Sequence, residues 1–279
     1  MKTLPLLALP LAACAAGSSS AERARAAPEP VLSGYAPVNG LELYYEVYGD
    51  QGGTPLLLLH GGGSTITTSF EHFLPGLTRT RRVIAFEQQG HGHTADVERP
   101  FSFEQSAEDA AALLAYLGVA RADVFGYSNG GNIALELGLR HPGLVRKLVV
   151  ASAMFRREGL GDAFWDGMRH ARLEDMPSDL KAAYLAVAPR PQDLQRFHDK
   201  CVARMLAFQD VPDETLRALA AETLVVVGDA DIVRPEHALE LVRLLPHAHL
   251  SVLPATDHAA LVRRADWLVP EIETFLGAP

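Results

Sequence analysis

The 279-residue chain is 48% hydrophobic and 21% charged, enough apolar material for one large core with a modest insertion. Its formal net charge of -9 argues against a nucleic-acid partner, which calls for a basic face.

Met1-Lys2-Thr3 is a short basic start, and Leu4 to Ala13 is an apolar run too short to cross a bilayer. That pattern is a signal-peptide core. The run ends Leu11-Ala12-Ala13-Cys14, which resembles the lipobox of a bacterial lipoprotein. The resemblance implies cleavage before Cys14, a lipid on Cys14, and an exported protein anchored to a membrane of the bacterial envelope. Residues 1–13 are then the signal peptide, and residues 14–30, rich in Ser, Ala, Glu, Arg and Pro, are a flexible tether. Cleavage after Ala24-Arg25-Ala26 would instead give a periplasmic or secreted protein, although the charges of Glu22, Arg23 and Arg25 disfavour that site. An unprocessed cytoplasmic protein is the third alternative. With Cys14 lipidated only Cys201 remains, so no intrachain disulfide forms. Cys201 reads as a partly buried thiol on a helix.

The fold begins near Val31. Leu41 to Val47 alternates and is rich in Tyr and Val, predicting a strand closed by Gly49-Asp50-Gln51-Gly52-Gly53. Pro55 to His60 is a continuous apolar run, as expected of a strand covered on both faces, and Gly61-Gly62-Gly63 ends it. A helix is predicted over Ser69 to Leu77 and a buried strand over Arg82 to Phe86. Ser102 to Leu117 predicts a helix, with Ser102 and Gln105 as a capping box and Ala110, Leu113, Leu114 and Leu117 on one face. Ala122 to Phe125 is a short strand that runs into Gly126-Tyr127-Ser128-Asn129-Gly130, after which Asn132 to Leu137 has helical spacing. Val145 to Ala151 is the next strand. From Met154 to Ala218 the pattern is helical only. Strand rhythm resumes at Leu224 to Gly228, followed by a helix from Pro235 to Leu244, a strand from His249 to Leu253 and a helix from Leu261 to Phe275. This alternation predicts an α/β fold with a mainly parallel sheet covered on both faces. Ligands in such sheets bind at the carboxyl ends of the strands.

The residues at those ends carry chemistry. Ser128 sits at the apex of a sharp strand-to-helix turn, with glycine two residues before and two after, because the chain there passes too close for side chains. A serine hydroxyl needs a base, and the base needs an orienting group. Of eleven histidines, His258 lies between the last strand and the last helix, on a loop that opens on the same face as Ser128. His141 stands at a helix end, His247 and His249 at the wrong edge of the sheet, and His170, His198 and His237 on predicted helices. The acid comes from Gly228-Asp229-Ala230-Asp231. Asp231 lies farther along the loop and is better placed to reach His258, whereas Asp229 suits holding the turn through nearby backbone N–H groups.

The order Ser128, Asp231, His258, together with His60-Gly61-Gly62-Gly63, Gly126-Tyr127-Ser128-Asn129-Gly130 and Thr256-Asp257-His258, resembles the α/β-hydrolases over nearly everything from Val31 onward. The resemblance implies a mainly parallel eight-stranded sheet with a core of residues 31–153 and 219–279. It implies a helical cap, residues 154–218, inserted after the sixth strand. It also implies an oxyanion hole formed by the backbone N–H groups of Asn129 and Gly62. Glu87-Gln88-Gln89-Gly90-His91-Gly92-His93-Thr94 is similar to the family's Asp-x-Arg-Gly-x-Gly-x-Ser stretch, but Glu87 and Gln89 replace Asp and Arg, so no structural ion pair is inferred there. His91 and His93 read as loop residues at the pocket rim, without a metal. The activity implied is a serine hydrolase that cleaves a small-molecule carboxylic ester through an acyl-enzyme on Ser128, with no cofactor. A carbon–carbon bond hydrolase of the same fold, a proline iminopeptidase, a perhydrolase side activity, and a ligand-binding lipoprotein that keeps the triad are the alternatives.

Overall fold

The computed structural model describes residues 27–277, so the signal-type segment, Cys14 and residues 14–26 of the expected tether lie outside the described residues. Strands β1 (Leu32–Val38) and β2 (Leu41–Tyr48) form an antiparallel hairpin, and β2 buries Leu41, Leu43, Tyr45 and Val47 on one face, while its other face is only partly covered, through Tyr44 and Tyr48. Strands β3 (Leu56–Leu59) and β4 (Val83–Phe86) are buried at every position, as strands covered by helices on both faces must be. With β5 (Ala122–Tyr127), β6 (Val145–Ala151), β7 (Glu222–Gly228) and β8 (Ala248–Leu253) they make one eight-stranded sheet in the order β1-β2-β4-β3-β5-β6-β7-β8. β2 joins β4 antiparallel, and every pairing from β4 to β8 is parallel. In the register, Phe86 lies beside Leu59, Leu59 beside Gly126, and Gly228 beside Leu253. The carboxyl ends of these strands, and the loops that leave them, therefore share one edge.

The leucines of β3 divide between two cores. Leu57 and Leu59 face Ile133, Leu137 and Leu113 beneath helices α3 (Phe103–Tyr116) and α4 (Asn129–Arg140). Leu56 and Leu58 face Phe70, Phe73, Phe125, Leu268 and Ile272 beneath α10 (Ala265–Leu276). Each such fully buried side chain contributes about 1.5 to 3 kcal/mol of hydrophobic stabilisation.

Some local expectations change. The helix expected over Ser69 to Leu77 is two short ones, α1 (Ile66–Phe70) and α2 (Leu74–Leu77). Pro75 has no N–H to donate and is best placed in the first turn of a helix, so it starts α2 and does not continue α1. α1 starts instead at a Thr65–Thr68 capping box. At α3 the Ser102 hydroxyl accepts the Gln105 N–H at 3.0 Å, but the Gln105 side chain turns to Asp109, so only half of the expected capping box forms. The last helix begins at Ala265, after a 3₁₀ turn over Leu261–Arg263.

Between β6 and β7 the chain is helical apart from a single bridge from Leu160 to Val233. It contains α5 (Asp162–Arg169), α6 (Ser178–Val187), α7 (Leu194–Leu206) and α8 (Asp213–Arg217); α9 (Pro235–Leu244) follows β7. Helix α7 is fixed to the loop after β4. The buried Asp96 carboxylate accepts Lys200 Nζ at 2.7 Å, Arg196 Nε at 3.0 Å and Gln89 Nε2 at 2.7 Å. Phe101, Tyr184, Leu194 and Phe197 pack together beside it.

The Ser128 turn is set by steric exclusion. A Cβ on Gly130 would stand 1.9 Å from the Leu59 carbonyl oxygen, and one on Gly126 would stand 2.1 Å from the Gly130 carbonyl oxygen. Both obstacles are backbone and neither can move aside. Gly130→Ala is expected to lose about 4 kcal/mol or more, lowering Tm by about 8 °C or more, or to leave no folded protein. Gly167→Ala, in α5 with nothing within 4 Å of the new methyl, is the control and is expected to raise stability slightly. Thermal unfolding of both variants checks this; a fully stable Gly130→Ala protein would refute it.

Candidate active site

Strand β5 delivers its chain into the tight turn, and Ser128 takes φ 54° and ψ -118°, a left-handed conformation that ordinary residues avoid. The turn is held by Ser128 N–H donating to the Ala151 carbonyl at 2.7 Å and by Gly131 N–H donating to the Ser128 carbonyl at 2.8 Å. The hydroxyl is thereby lifted above the sheet edge at the start of α4.

His258 arrives on the loop after β8. Its Nε2 lies 2.9 Å from Ser128 Oγ and its Nδ1 2.8 Å from Asp231 Oδ1. A carboxylate only accepts, so Nδ1–H is the donor to Asp231, and Nε2 is left free to accept the serine proton. Tyr127 fixes the loop by donating its hydroxyl to the His258 carbonyl at 2.7 Å. Asp231 follows β7 and its side chain is wholly buried. Its Oδ1 also accepts the Val233 N–H at 3.0 Å, and its Oδ2 accepts the Ser152 hydroxyl. Burial alone would raise the Asp231 carboxyl pKa. The hydrogen bond and charge of His258, with the Ser152 and Val233 donors, outweigh burial and hold the pKa below the ordinary carboxylate range. Asp229 points elsewhere and accepts the Thr256 N–H at 3.1 Å, which ties the β7 loop to the β8 loop.

Gly62 and Asn129 face each other across the same edge. A Cβ on Gly62 would lie 3.5 Å from Asn129 Cβ, and both residues line the cavity that Ser128 and His258 open into. The cavity has a volume of about 410 Å³. Its floor is Gly62, Ser128, Asn129 and His258, and its roof comes from the helical insertion through Phe164, Met168, Met176, Leu180 and Met205. The arrangement offers a hydroxyl nucleophile and a base oriented by a buried carboxylate, with Gly62 and Asn129 beside them, in a largely apolar chamber. That is the equipment of acyl transfer to and from serine.

The loop after β4 is built differently from the expectation. His91 is fully buried between Phe101 and Phe197 rather than at the rim, and its Nε2 accepts the Gly63 N–H at 3.3 Å. Burial pushes its pKa well below the ordinary imidazole value. His60, also buried, accepts the Gln88 N–H at 3.1 Å and donates to the Gly61 carbonyl at 2.8 Å; burial lowers its pKa to about 4. These neutral imidazoles brace the glycine loop beneath the cavity. Glu87 instead accepts a hydrogen bond from His93 Nδ1 at 2.8 Å, and that bond raises the His93 pKa.

Three side chains at the site were not singled out in the sequence. Ser152 anchors Asp231. Gln88 uses Oε1 to accept from Asn129 Nδ2 at 2.7 Å and from Arg204 Nη1 at 3.4 Å. Arg204, on α7, is buried and lines the cavity. It falls seven residues after the buried Phe197, so helical spacing alone would have shown a charge on an apolar face. Cys201, one turn earlier on α7, lines the cavity as well; burial raises its thiol pKa to about 11.

Comparisons with known proteins agree with this geometry. Residues 54–196 match the model of a family described as alpha/beta hydrolase fold. The chain is similar to 2-hydroxymuconate semialdehyde hydrolase of Pseudomonas putida, with 31% identity over 82% of this chain and 89% of that one. It is similar to the pimeloyl-[acyl-carrier protein] methyl ester esterase of Neisseria meningitidis, with 30% identity over 75% of this chain and 87% of that one. Among solved structures, a meta-cleavage product hydrolase from Pseudomonas fluorescens superposes with a TM-score of 0.72 at 22% identity, covering 88% of this chain and 97% of its own.

Proposed function

The chain belongs to the α/β-hydrolase fold family and is a hydrolase, and from that premise we propose that it cleaves carboxylic esters through an acyl-enzyme formed on Ser128. The observation that carries this reading is the relay of Ser128, His258 and Asp231 at 2.9 and 2.8 Å, open to the 410 Å³ cavity. Ser128 Oγ attacks the ester carbonyl while His258 Nε2 takes its proton. Asp231 holds the imidazole and stabilises its positive charge. The N–H groups of Asn129 and Gly62 receive the oxyanion, each such donor being worth about 3 to 4 kcal/mol in the transition state. The imidazolium returns the proton to the departing alcohol, and water, activated by the same histidine, releases the acid.

The test is hydrolysis of 4-nitrophenyl esters of increasing acyl length by the chain from Val31 onward. Turnover that peaks at short or medium chains would fit the size of the cavity; a folded protein with no turnover on any of them would overturn the ester reading. Similarity to a 2-hydroxymuconate semialdehyde hydrolase favours one second reading, hydrolytic carbon–carbon cleavage by the same serine. Turnover of 2-hydroxymuconate semialdehyde, with none of activated esters, would select it.

For residues 1–26, the sequence Leu11-Ala12-Ala13-Cys14 supports export and lipidation at Cys14. Several acyl chains on one cysteine, at about 0.8 kcal/mol per buried methylene, anchor a protein firmly. In a bacterial host, the full chain is expected in the membrane fraction and Cys14→Ser in the soluble or unprocessed fraction. Equal distribution of the two on fractionation would refute the anchor.

A further inference from the structure

Among the described residues, Arg204 is a buried cation without a counter-ion. It is 4% exposed, its Nε has no partner, and among the described residues no carboxylate lies within ion-pair distance. Its hydrogen bond is to the neutral Gln88 side chain, at 3.4 Å. The rings of Phe101 and Phe103 lie 5.6 and 5.4 Å from its guanidinium carbon, and hold the group in place through their faces. The contrast with Arg81 is direct. Arg81 is fully buried at the far end of the sheet and is neutralised by Asp123 and Glu273. Where this buried arginine is structural, the chain supplies anions; at Arg204 none of the described residues does, and the cavity's Asp175 pairs with Arg172 instead.

A guanidinium does not shed its proton, so the charge must be met by something that enters the cavity. The position says where. A Cβ on Gly62 would lie 3.5 Å from Arg204 Nη2, so the cation flanks the N–H pair assigned to the oxyanion. Away from it the chamber is lined by Met168, Met176 and Leu180. A transient oxyanion already served by two N–H groups leaves the arginine uncompensated in the resting complex. A ground-state anion on the substrate compensates it throughout, and a carboxylate matches the planar fork.

We infer that Arg204 anchors a substrate carboxylate: the acyl group transferred to Ser128 carries a carboxylate a few bonds from the scissile carbonyl, so the preferred substrates are half-esters of dicarboxylic acids rather than neutral fatty esters. This rests on the reading of Ser128 as the nucleophile. The experiment compares kcat/KM for monoethyl glutarate and for ethyl pentanoate, its uncharged counterpart of equal chain length, by pH-stat. The wild-type protein is expected to favour the half-ester by about tenfold or more, mainly through KM, as a hydrogen-bonded charge pair of ordinary strength allows. Arg204→Gln is expected to bring the ratio to one or below, and Arg204→Lys to leave an intermediate ratio. A wild-type ratio near one overturns the assignment. So does a ratio that Arg204→Gln leaves unmoved while both rates fall together, which would make the arginine an oxyanion donor or a structural group. Calorimetric binding of monoethyl glutarate to Ser128→Ala, with and without Arg204→Gln, separates the two readings. Arg204-dependent binding to Ser128→Ala, found alongside a wild-type protein that hydrolyses neither ester, sinks the Ser128 reading alone. Hydrolysis of ethyl pentanoate as fast as the half-ester sinks the Arg204 assignment alone.

Discussion

Ser128→Ala is expected to lower kcat on a 4-nitrophenyl ester by about 10⁴-fold or more, with KM changed little. The substitution removes one atom. The turn that holds position 128 is made by backbone hydrogen bonds from residues 128 and 131 and by the small size of Gly126 and Gly130, none of which needs the hydroxyl. Alanine also tolerates the left-handed backbone no worse than serine does. Stability should therefore stay close to wild type, and loss of rate reports chemistry rather than unfolding. What remains should be the contribution of the oxyanion donors and of binding. Steady-state kinetics with a thermal melt on the same sample decides it. A folded Ser128→Ala protein that keeps a tenth of wild-type kcat would mean that another group attacks the ester.

The second large effect is at Asp231. Asp231→Asn is expected to cost about 10³- to 10⁴-fold in kcat, because an amide at the Nδ1 side of His258 can stabilise the tautomer whose Nε2 carries the proton and cannot accept one. Asp229→Asn is expected to cost less than about tenfold, since Asp229 bonds the Thr256 N–H and not the imidazole. Reversed magnitudes would assign the acid to Asp229. Acid stability gives an independent check. The folded-state pKa of Asp231 is depressed, so the unfolded chain binds more protons in the window between that pKa and the ordinary value of about 3.9. The stability this carboxylate contributes is present above the unfolded-state pKa and is lost as pH falls through the folded-state one. Urea unfolding from about pH 5 down through the acid range below the ordinary carboxylate value should therefore show a shallower acid slope in Asp231→Asn than in the wild type; an unchanged slope would be the contrary result.

Much of the machinery was legible in the residue order. Gly126 and Gly130 announce a turn because a close approach of backbone leaves a mark that glycine alone satisfies. Asp231 could be preferred to Asp229 because reach along a loop is a matter of counting residues. The break between α1 and α2 was also written in the chain, at Pro75, and apolar spacing concealed it. Other features were not legible, since they depend on segments far apart in sequence. Ser152 meets Asp231 across 79 positions, and Arg204 meets Gln88 across 116. His91 lies among glycines and a threonine, in a polar stretch that suggests exposure. Its burial comes from Phe197, supplied by a helix about a hundred residues later. Periodicity identifies which side of a helix is inward, but not what waits there.

The three donors that converge on Asp96 bear on how such a chamber diversifies. Two of them, Lys200 and Arg196, clamp α7, the helix that carries Arg204, to the loop after β4, and the third, Gln89, braces that loop from within, while α5 and α6 are mostly exposed and reach the cavity through a few apolar side chains. The charge-reading part of the site is thus welded to the scaffold, and the shape-reading part is hung from it. Substitutions at the cavity-facing positions of α5 and α6, other than Tyr184, which stacks on Phe197 of α7, can remodel the space around the substrate body without disturbing the anion's seat, so new members of a lineage could exchange chain length, branching or ring while still accepting acids. Loss of Asp96 would remove that independence, because every change in the outer helices would then also shift the arginine.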